Sequence, residues 1–324
     1  MRTTFIIFVL LSFISCTDKG SQQNVASSEN RKYPAITETS LVVLGTIQDA
    51  GSPQIACTKN CCKDLFIHPD NSRKVVCLGI IDPQNKKKFM IEATPDMVSQ
   101  LQLLNDHSSF KTQPTPDGIL LTHAHIGHYT GLMYLGKEAM NANHVPVYAM
   151  PRMKTFLEHN GPWSQLVNTG NIEINELADR QEIMLTPNLK VTPFTVPHRD
   201  EYSETVGYKI TGPHKKVLFI PDIDKWEKWD TDIIEALKNV DYAFLDATFY
   251  DGEEINNRDI SEIPHPFVIE SMAKFNNLPD KEKQKICFIH FNHTNPLLVA
   301  GSQQNKAVKN NGFNITHFND IIKL

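Results

Sequence analysis

From Leu41 onward, short apolar runs closed by glycine, proline or polar turns alternate with stretches of helical apolar spacing. Leu41 to Thr46 reads as a buried strand, and Val75 to Ile81 and Lys88 to Ala93 as two more around an Asp-Pro-Gln-Asn turn. Asp96 to Leu104 has helical spacing. Gly118 to Thr122 predicts a short strand and Tyr129 to Met140 a helix. Val145 to Ala149 follows as a strand, and Pro151 to His159 as a helix with proline in its first turn. Later strands are expected over Lys190 to Val196, Thr205 to Ile210, Lys216 to Ile220, Tyr242 to Leu245 and Ile286 to Phe291. Helices are expected over Lys225 to Lys238 and Phe267 to Phe275. Strands in series that later alternate with helices fit an α/β fold of two sheets covered by helices.

The first residues follow a different pattern. Arg2 precedes an apolar run from Phe5 to Ile14, too short to span a bilayer, and then Ser15 and Cys16. Residues 1–15 read as a signal peptide. A small residue directly before Cys16 resembles a bacterial lipobox, which implies an exported lipoprotein held to a membrane by a lipid on Cys16. Simple secretion with an incidental cysteine is the alternative. Residues 16–40 start polar and are expected to form a flexible tether to a domain over 41–324.

Composition narrows the function classes. With 324 residues, 40% of them apolar, the chain can bury a sizeable core. A net charge of −5 argues against a nucleic-acid binder that relies on a general positive field. There is no Gly-rich phosphate loop and no Gly-x-Ser-x-Gly elbow.

The strongest chemical signal is Thr122-His123-Ala124-His125-Ile126-Gly127-His128, directly after a predicted strand. Packing has no need of three imidazoles so close together, whereas zinc and similar ions do. Four further features accompany it in chain order, one before and three after: Glu92-Ala93-Thr94-Pro95-Asp96, Pro197-His198, Pro221-Asp222 and His290, each near a predicted strand end.

Together these motifs resemble the metallo-β-lactamase superfamily, over roughly Leu41 to Pro296. The resemblance implies a four-layer αββα sandwich with metal at one edge of the sheets. It implies a first ion held by His123, His125 and His198, a second by His128 and His290, and Asp222 between them. One position departs: the aspartate of the family's His-x-His-x-Asp-His is Gly127 here. The second site is then weak or empty, or Asp200, Asp224 or Asp246 replaces the carboxylate, or the metal is iron or manganese.

Cys57, Cys61 and Cys62 put three thiols within six residues after the first strand. They suggest a structural zinc site, with His293 as the fourth ligand. Disulfides are the rival reading for an exported chain. Clustered cysteines, Gly51-Ser52-Pro53 and the ending His290-Phe291-Asn292-His293-Thr294-Asn295-Pro296 resemble one branch of the superfamily. That branch contains pyrroloquinoline quinone biosynthesis protein B and cyclic-phosphate phosphodiesterases. Cys77 and Cys287 lie in apolar strands and read as buried thiols.

His265, between Pro264 and Pro266, is a candidate for the substrate pocket and catalysis, with packing in a rigid loop as the alternative. Trp226, Trp229 and Tyr250 read as core or surface residues more readily than as a pocket wall. His68, His107, His144, His159, His214 and His317 read as surface residues. The expected function is a zinc-dependent hydrolase (Mn2+ or Fe2+ being possible) acting through activated water on a small phosphodiester or another ester-like molecule, with Asp222 in a catalytic role. The rivals are an iron-dependent oxidative enzyme related to quinone cofactor biosynthesis, and a non-catalytic metal-binding lipoprotein.

Overall fold

A computed structural model of the chain describes residues 33–324, apart from 112, 257 and 258. The signal peptide, Cys16 and most of the tether lie outside the described residues.

Among the described residues, fourteen strands form two sheets of seven. The first sheet contains β1 (Ser40–Gly45), β2 (Cys77–Asp82), β3 (Lys87–Ile91), β4 (Gly118–Leu120), β5 (Val145–Ala149) and β6 (Ile172–Glu176). The second contains β7 (Ile183–Thr186), β8 (Leu189–Thr195), β9 (Val206–Thr211), β10 (Lys216–Ile220), β11 (Tyr242–Asp246), β12 (Ile286–Ile289) and β13 (Asn314–Ile315). The last strand, β14 (Ile321–Lys323), crosses back to pair antiparallel with β1 at the edge of the first sheet.

Side-chain alternation builds the layers. Along β1, Leu41 and Val43 face the second sheet and meet Val191, Tyr208, Val217 and Phe244. Val42 and Leu44 face outward and pack under the helix Met97–His107 with Leu103 and Leu104. A third cluster joins Leu218, Ile220, Leu245 and Phe288 of the second sheet to Trp226, Val268 and Phe275. Helix, sheet, sheet, helix is the expected αββα sandwich. Each sheet is buried on both faces, which explains why its strands read as unbroken apolar runs.

The parallel strands β3–β4–β5 and β10–β11–β12 have their carboxyl ends on one edge of the sandwich. Ligands of open α/β sheets gather beyond such ends, and every histidine of the predicted motifs lies there.

Several elements depart from the sequence reading. In place of a helix over Tyr129 to Met140 there is an α-turn, Ile126–Tyr129, followed by a 3-10 segment, Thr130–Leu135. Gly131 explains the tightening, because its N–H bonds Ala93 O at 2.8 Å and a Cβ there would lie 2.2 Å from Thr94 O. Lys225 to Lys238 splits into a 3-10 turn, Trp226–Lys228, and a helix, Ile233–Leu237. Asp232 restarts the chain by accepting from Ile234 N at 2.8 Å. Edge strands β6 and β7 and the helices Trp163–Asn168 and Gln303–Asn310 have too polar a pattern to stand out.

The tether also ends earlier than residue 40. Ile36 is buried, and its N–H bonds His107 O at 2.9 Å. His107 itself is buried, not a surface residue: its ring bridges Pro34 O at 2.9 Å and Asn319 Oδ1 at 2.6 Å. Cys77 and Cys287 are buried thiols as expected.

Candidate metal centre

The loop after β4 presents His123 and His125 on one side, and the turn that follows returns His128. His198 comes from beyond β8, Asp222 from beyond β10, Asp246 from the end of β11 and His290 from beyond β12. Six strand ends thereby converge, counting Glu92 after β3. Two of the converging residues, Glu92 (φ 85°) and His290 (φ 68°), hold a left-handed backbone without being glycine. Such conformations cost about 1–3 kcal/mol each and persist where the surroundings over-determine them.

Asp222 is the hub. Its Oδ1 lies 3.1 Å from His198 Nε2 and 3.2 Å from His265 Nδ1. Its Oδ2 lies 3.4 Å from His123 Nε2, 3.9 Å from His125 Nδ1 and 4.0 Å from His128 Nε2. His123, His125, His198 and Asp222 form one group with ligand atoms all within 4.8 Å of one another. Asp222, His128, His290 and Asp49 form a second, and Asp222, Asp246, His265 and His290 a third.

Two threonines set the tautomers. Thr122 Oγ1 donates to Glu92 Oε1 at 2.5 Å, so the proton between it and His123 Nδ1, 2.8 Å away, belongs to the imidazole. Thr248 Oγ1 donates to Asp246 Oδ1 at 2.7 Å and by the same logic accepts from His290 Nδ1 at 2.8 Å. In both rings Nε2 is thereby the nitrogen aimed into the centre, bare in neutral His123 and, in His290, carrying the proton that a cation would displace. These assignments follow from the hydrogen-bond network.

Several atoms here are buried and lack a hydrogen-bond partner: both ring nitrogens of His128 and of His198, Asp222 Oδ1 and His290 Nε2. Each orphan costs about 1–3 kcal/mol, more where charge is involved. Four of them, His128 Nε2, His198 Nε2, Asp222 Oδ1 and His290 Nε2, face the shared centre, and those are what cations there would resolve. Ligands at about 2.0–2.2 Å from a tetrahedral ion sit roughly 3.3–3.6 Å apart, which the Asp222 distances approximate.

Burial pushes the His123 imidazole well below its ordinary range, reinforced by the charge of His128. It opposes protonation of His128, but Glu92 and Asp49 outweigh it and raise that group. Against the same cost of burial, Asp246 and Asp222 hold His265 up to about 10, and Asp246 and Asp49 hold His290 up to about 9. Burial would raise Asp222, but His198 and His265 bring it well below the carboxylate range. The centre is therefore a nest of anionic carboxylates and imidazoles, whose protons an arriving cation displaces.

Every predicted residue of the histidine centre is brought together. His265 lies inside it, 2.9 Å from Asp246 Oδ2. Two proposed replacements for the missing carboxylate do not reach it. Asp200 accepts from Thr205 Oγ1 at 2.8 Å, and Asp224 pairs with Lys228 at 2.8 Å. Asp246 stands on the His265 side. The carboxylate on the other side is Asp49, from the loop after β1, 3.4 Å from His290 Nε2 and 3.6 Å from His128 Nε2. Sequence reading missed Asp49 because a lone loop aspartate carries no periodic signal. Glu201, 3.5 Å from His125 Nε2, was missed for the same reason.

Beside this centre, Cys57, Cys61, Cys62 and His293 also place their ligand atoms within 4.8 Å of one another. All three cysteines are free thiols. Cys61 Sγ and Cys62 Sγ are 3.9 Å apart, close to the roughly 3.8 Å edge of a tetrahedron with zinc–sulfur bonds of about 2.3 Å. His293 Nδ1 lies 3.0 Å from Asn292 Oδ1, which leaves Nε2 for the thiols. Burial lowers His293 below its ordinary range, with Lys59 adding to the effect. Neutral imidazole is the ligating form.

Fold and site together define a metallo-β-lactamase-type protein. The chain belongs to the beta-lactamase superfamily, whose domain profile matches residues 87–291. Among curated proteins it is similar to coenzyme PQQ synthesis protein B of Methylorubrum extorquens, 23% identical over 312 residues, covering 86% of this chain and 97% of that one. The solved Zn2+-bound PqqB of Methylobacterium extorquens superimposes with a TM-score of 0.72 at 21% identity, over 88% of this chain and all (100%) of that one. A diphosphatase of the PhnP family superimposes with a TM-score of 0.63 at 21% identity, over 88% of this chain and 97% of its own. The branch suggested by the cysteines and the His-x-x-His ending is the one these proteins represent.

Proposed function

We propose that the chain is a metal-dependent hydrolase with a two-ion centre, acting on a small phosphodiester or another ester-like molecule. The observation that carries this reading is the set of buried, unpartnered imidazole and carboxylate atoms pointing at one another around Asp222. His123, His125 and His198 would hold the first ion and His128 and His290 the second, with Asp222 in reach of both groups. Ions bound there supply an acidified water near neutral pH and polarise a carbonyl or phosphoryl oxygen.

The protein's own residues do the rest. Glu92 and Thr122 fix the His123 ring, and Asp246 and Thr248 fix the His290 ring. His265 Nδ1 holds a proton between Asp246 Oδ2 and Asp222 Oδ1. There it orients Asp222 and can pass a proton toward a departing oxygen. Similarity to a PhnP-family diphosphatase supports a phosphorus-centred substrate over a carbonyl one. The thiol cluster with His293 is assigned a structural zinc ion.

The test is an assay of purified protein loaded with zinc or manganese on bis-p-nitrophenyl phosphate and cyclic phosphates, with His123→Ala as control. We expect turnover that the substitution removes; equal rates in variant and parent overturn the proposal. The rival expectation from the branch resemblance is an iron-dependent oxidative reaction, and similarity to a coenzyme PQQ synthesis protein keeps it as a second reading. Iron retained after anaerobic purification, with oxygen uptake, would select it; zinc alone rejects it.

A further inference from the structure

We propose that Asp49, reaching in from the loop after β1, supplies the carboxylate ligand of the second ion, and that residue 127 is glycine because a side chain there would occupy the space of Asp49. The inference rests on the two-ion reading above and adds a ligand to it. In the motif this chain resembles, the carboxylate stands immediately before the last histidine, and Gly127 leaves that position without one. A Cβ built on Gly127 would lie 2.1 Å from Asp49 Cβ and 2.4 Å from Asp49 Cα. Real side chains do not approach so closely, and part of the obstruction is backbone, which cannot swing aside. A residue with a side chain at 127 and Asp49 in its observed place therefore exclude each other.

Asp49 is also correctly aimed. Its Oδ1 lies 3.6 Å from His128 Nε2 and 3.4 Å from His290 Nε2, the two ring nitrogens left without hydrogen-bond partners on this side of Asp222. These separations match the roughly 3.3–3.6 Å expected between donors on one zinc-sized ion. The loop is held by the strand that carries His290: Phe291 N donates to Thr46 O at 2.8 Å, and Gln48 N to Phe291 O at 2.9 Å. Gln48 Nε2 donates to Asp49 Oδ1 at 2.8 Å and fixes its rotamer. Ligand and loop are thus registered by the same backbone ladder. The carboxylate comes from a different part of the chain than in the motif it resembles.

The test uses the full chain, stripped of metal and titrated with Zn2+, read by calorimetry and by elemental analysis after gel filtration. The parent should hold three ions: two among the histidines and one at the thiols. Asp49→Asn keeps shape and removes charge. It should lose one ion or weaken that site by roughly 100-fold or more, beyond the 10–100-fold typical of losing an outer partner. Far-UV circular dichroism and the thiolate-to-cobalt absorption of a Co2+-loaded sample should not change. Gly127→Ala, which adds only a Cβ, should also lose the ion by displacing the loop, with the thiolate-to-cobalt absorption unchanged. If Asp49→Asn or folded Gly127→Ala keeps all ions at parental affinity, the inference is overturned while the two-ion reading survives. A parent without zinc among its histidines overturns both.

Discussion

Thr122 stands between Glu92 and His123, giving its hydroxyl proton to the buried carboxylate at 2.5 Å and taking one from the imidazole at 2.8 Å. Both neighbours are fully enclosed, so the chain of donors can run in one direction only. Thr122→Val preserves shape and breaks the relay. Nδ1 of His123 then loses its partner, and the ring is free to rotate or change tautomer. Metal affinity at the first ion should fall by about 10–100-fold with little change in fold, measured by competition with a chromophoric chelator. Parental affinity would show that the hydroxyl does not orient the ring.

Tyr208 carries a second constraint on the same loop. Its buried hydroxyl donates to Leu121 O at 2.5 Å, one residue before Thr122. Tyr208→Phe leaves that carbonyl without its side-chain donor. Unfolding should become easier by about 1–3 kcal/mol, seen as a lower urea midpoint with an unchanged slope.

The thiol cluster should act on stability more than on turnover. Cys61→Ser removes one ligand of the site formed by Cys57, Cys61, Cys62 and His293. The expected outcome is the loss of one zinc per chain and a lower thermal midpoint. A chelator strong enough to strip that ion should bring the parent down to the same midpoint, because binding energy at a structural site is folding energy.

Glu254 predicts a pH dependence unrelated to the metals. Burial pushes its carboxyl up to about 7, although Tyr250 N and Thr294 Oγ1 donate to it. The folded state thus holds this proton more tightly than the unfolded chain, whose glutamates titrate near 4.5. Its contribution is complete below pH ~4.5, lost as pH rises toward ~7 and absent above, on the order of 3 kcal/mol in all. Glu254→Gln should flatten that slope. Urea midpoints of parent and variant at pH 5 and pH 8 give the answer, and parallel shifts would refute it.

Much of this protein is written locally. His123, His125 and His128 are neighbours in sequence and need only a strand end and one helical turn to share a centre. The strands β1, β2, β10, β11 and β12 are apolar because both faces are covered, and that pattern survives in any reading of the chain. Proline and glycine in turns, together with strand-end His198, Asp222 and His290, complete what is legible.

Other features depend on packing between distant segments, which no local pattern records. The break after Tyr129 follows from the approach of Gly131 to Thr94 O, not from the propensities of residues 129–140. His107 is buried because Pro34 and Asn319 meet it from opposite ends of the chain. Nothing around Asp49 distinguishes it from a solvated turn residue. Only the bridge between Ile47 and Phe291, past the ends of β1 and β12, brings it to His290, and only the missing Cβ at Gly127 leaves room for it there. By itself the sequence determined the chemistry, a nest of imidazoles at the ends of buried strands, because ligand type and strand patterning are local. Tertiary structure decided which carboxylates complete the nest, because a side chain's reach into a shared centre is a property of space and not of order along the chain.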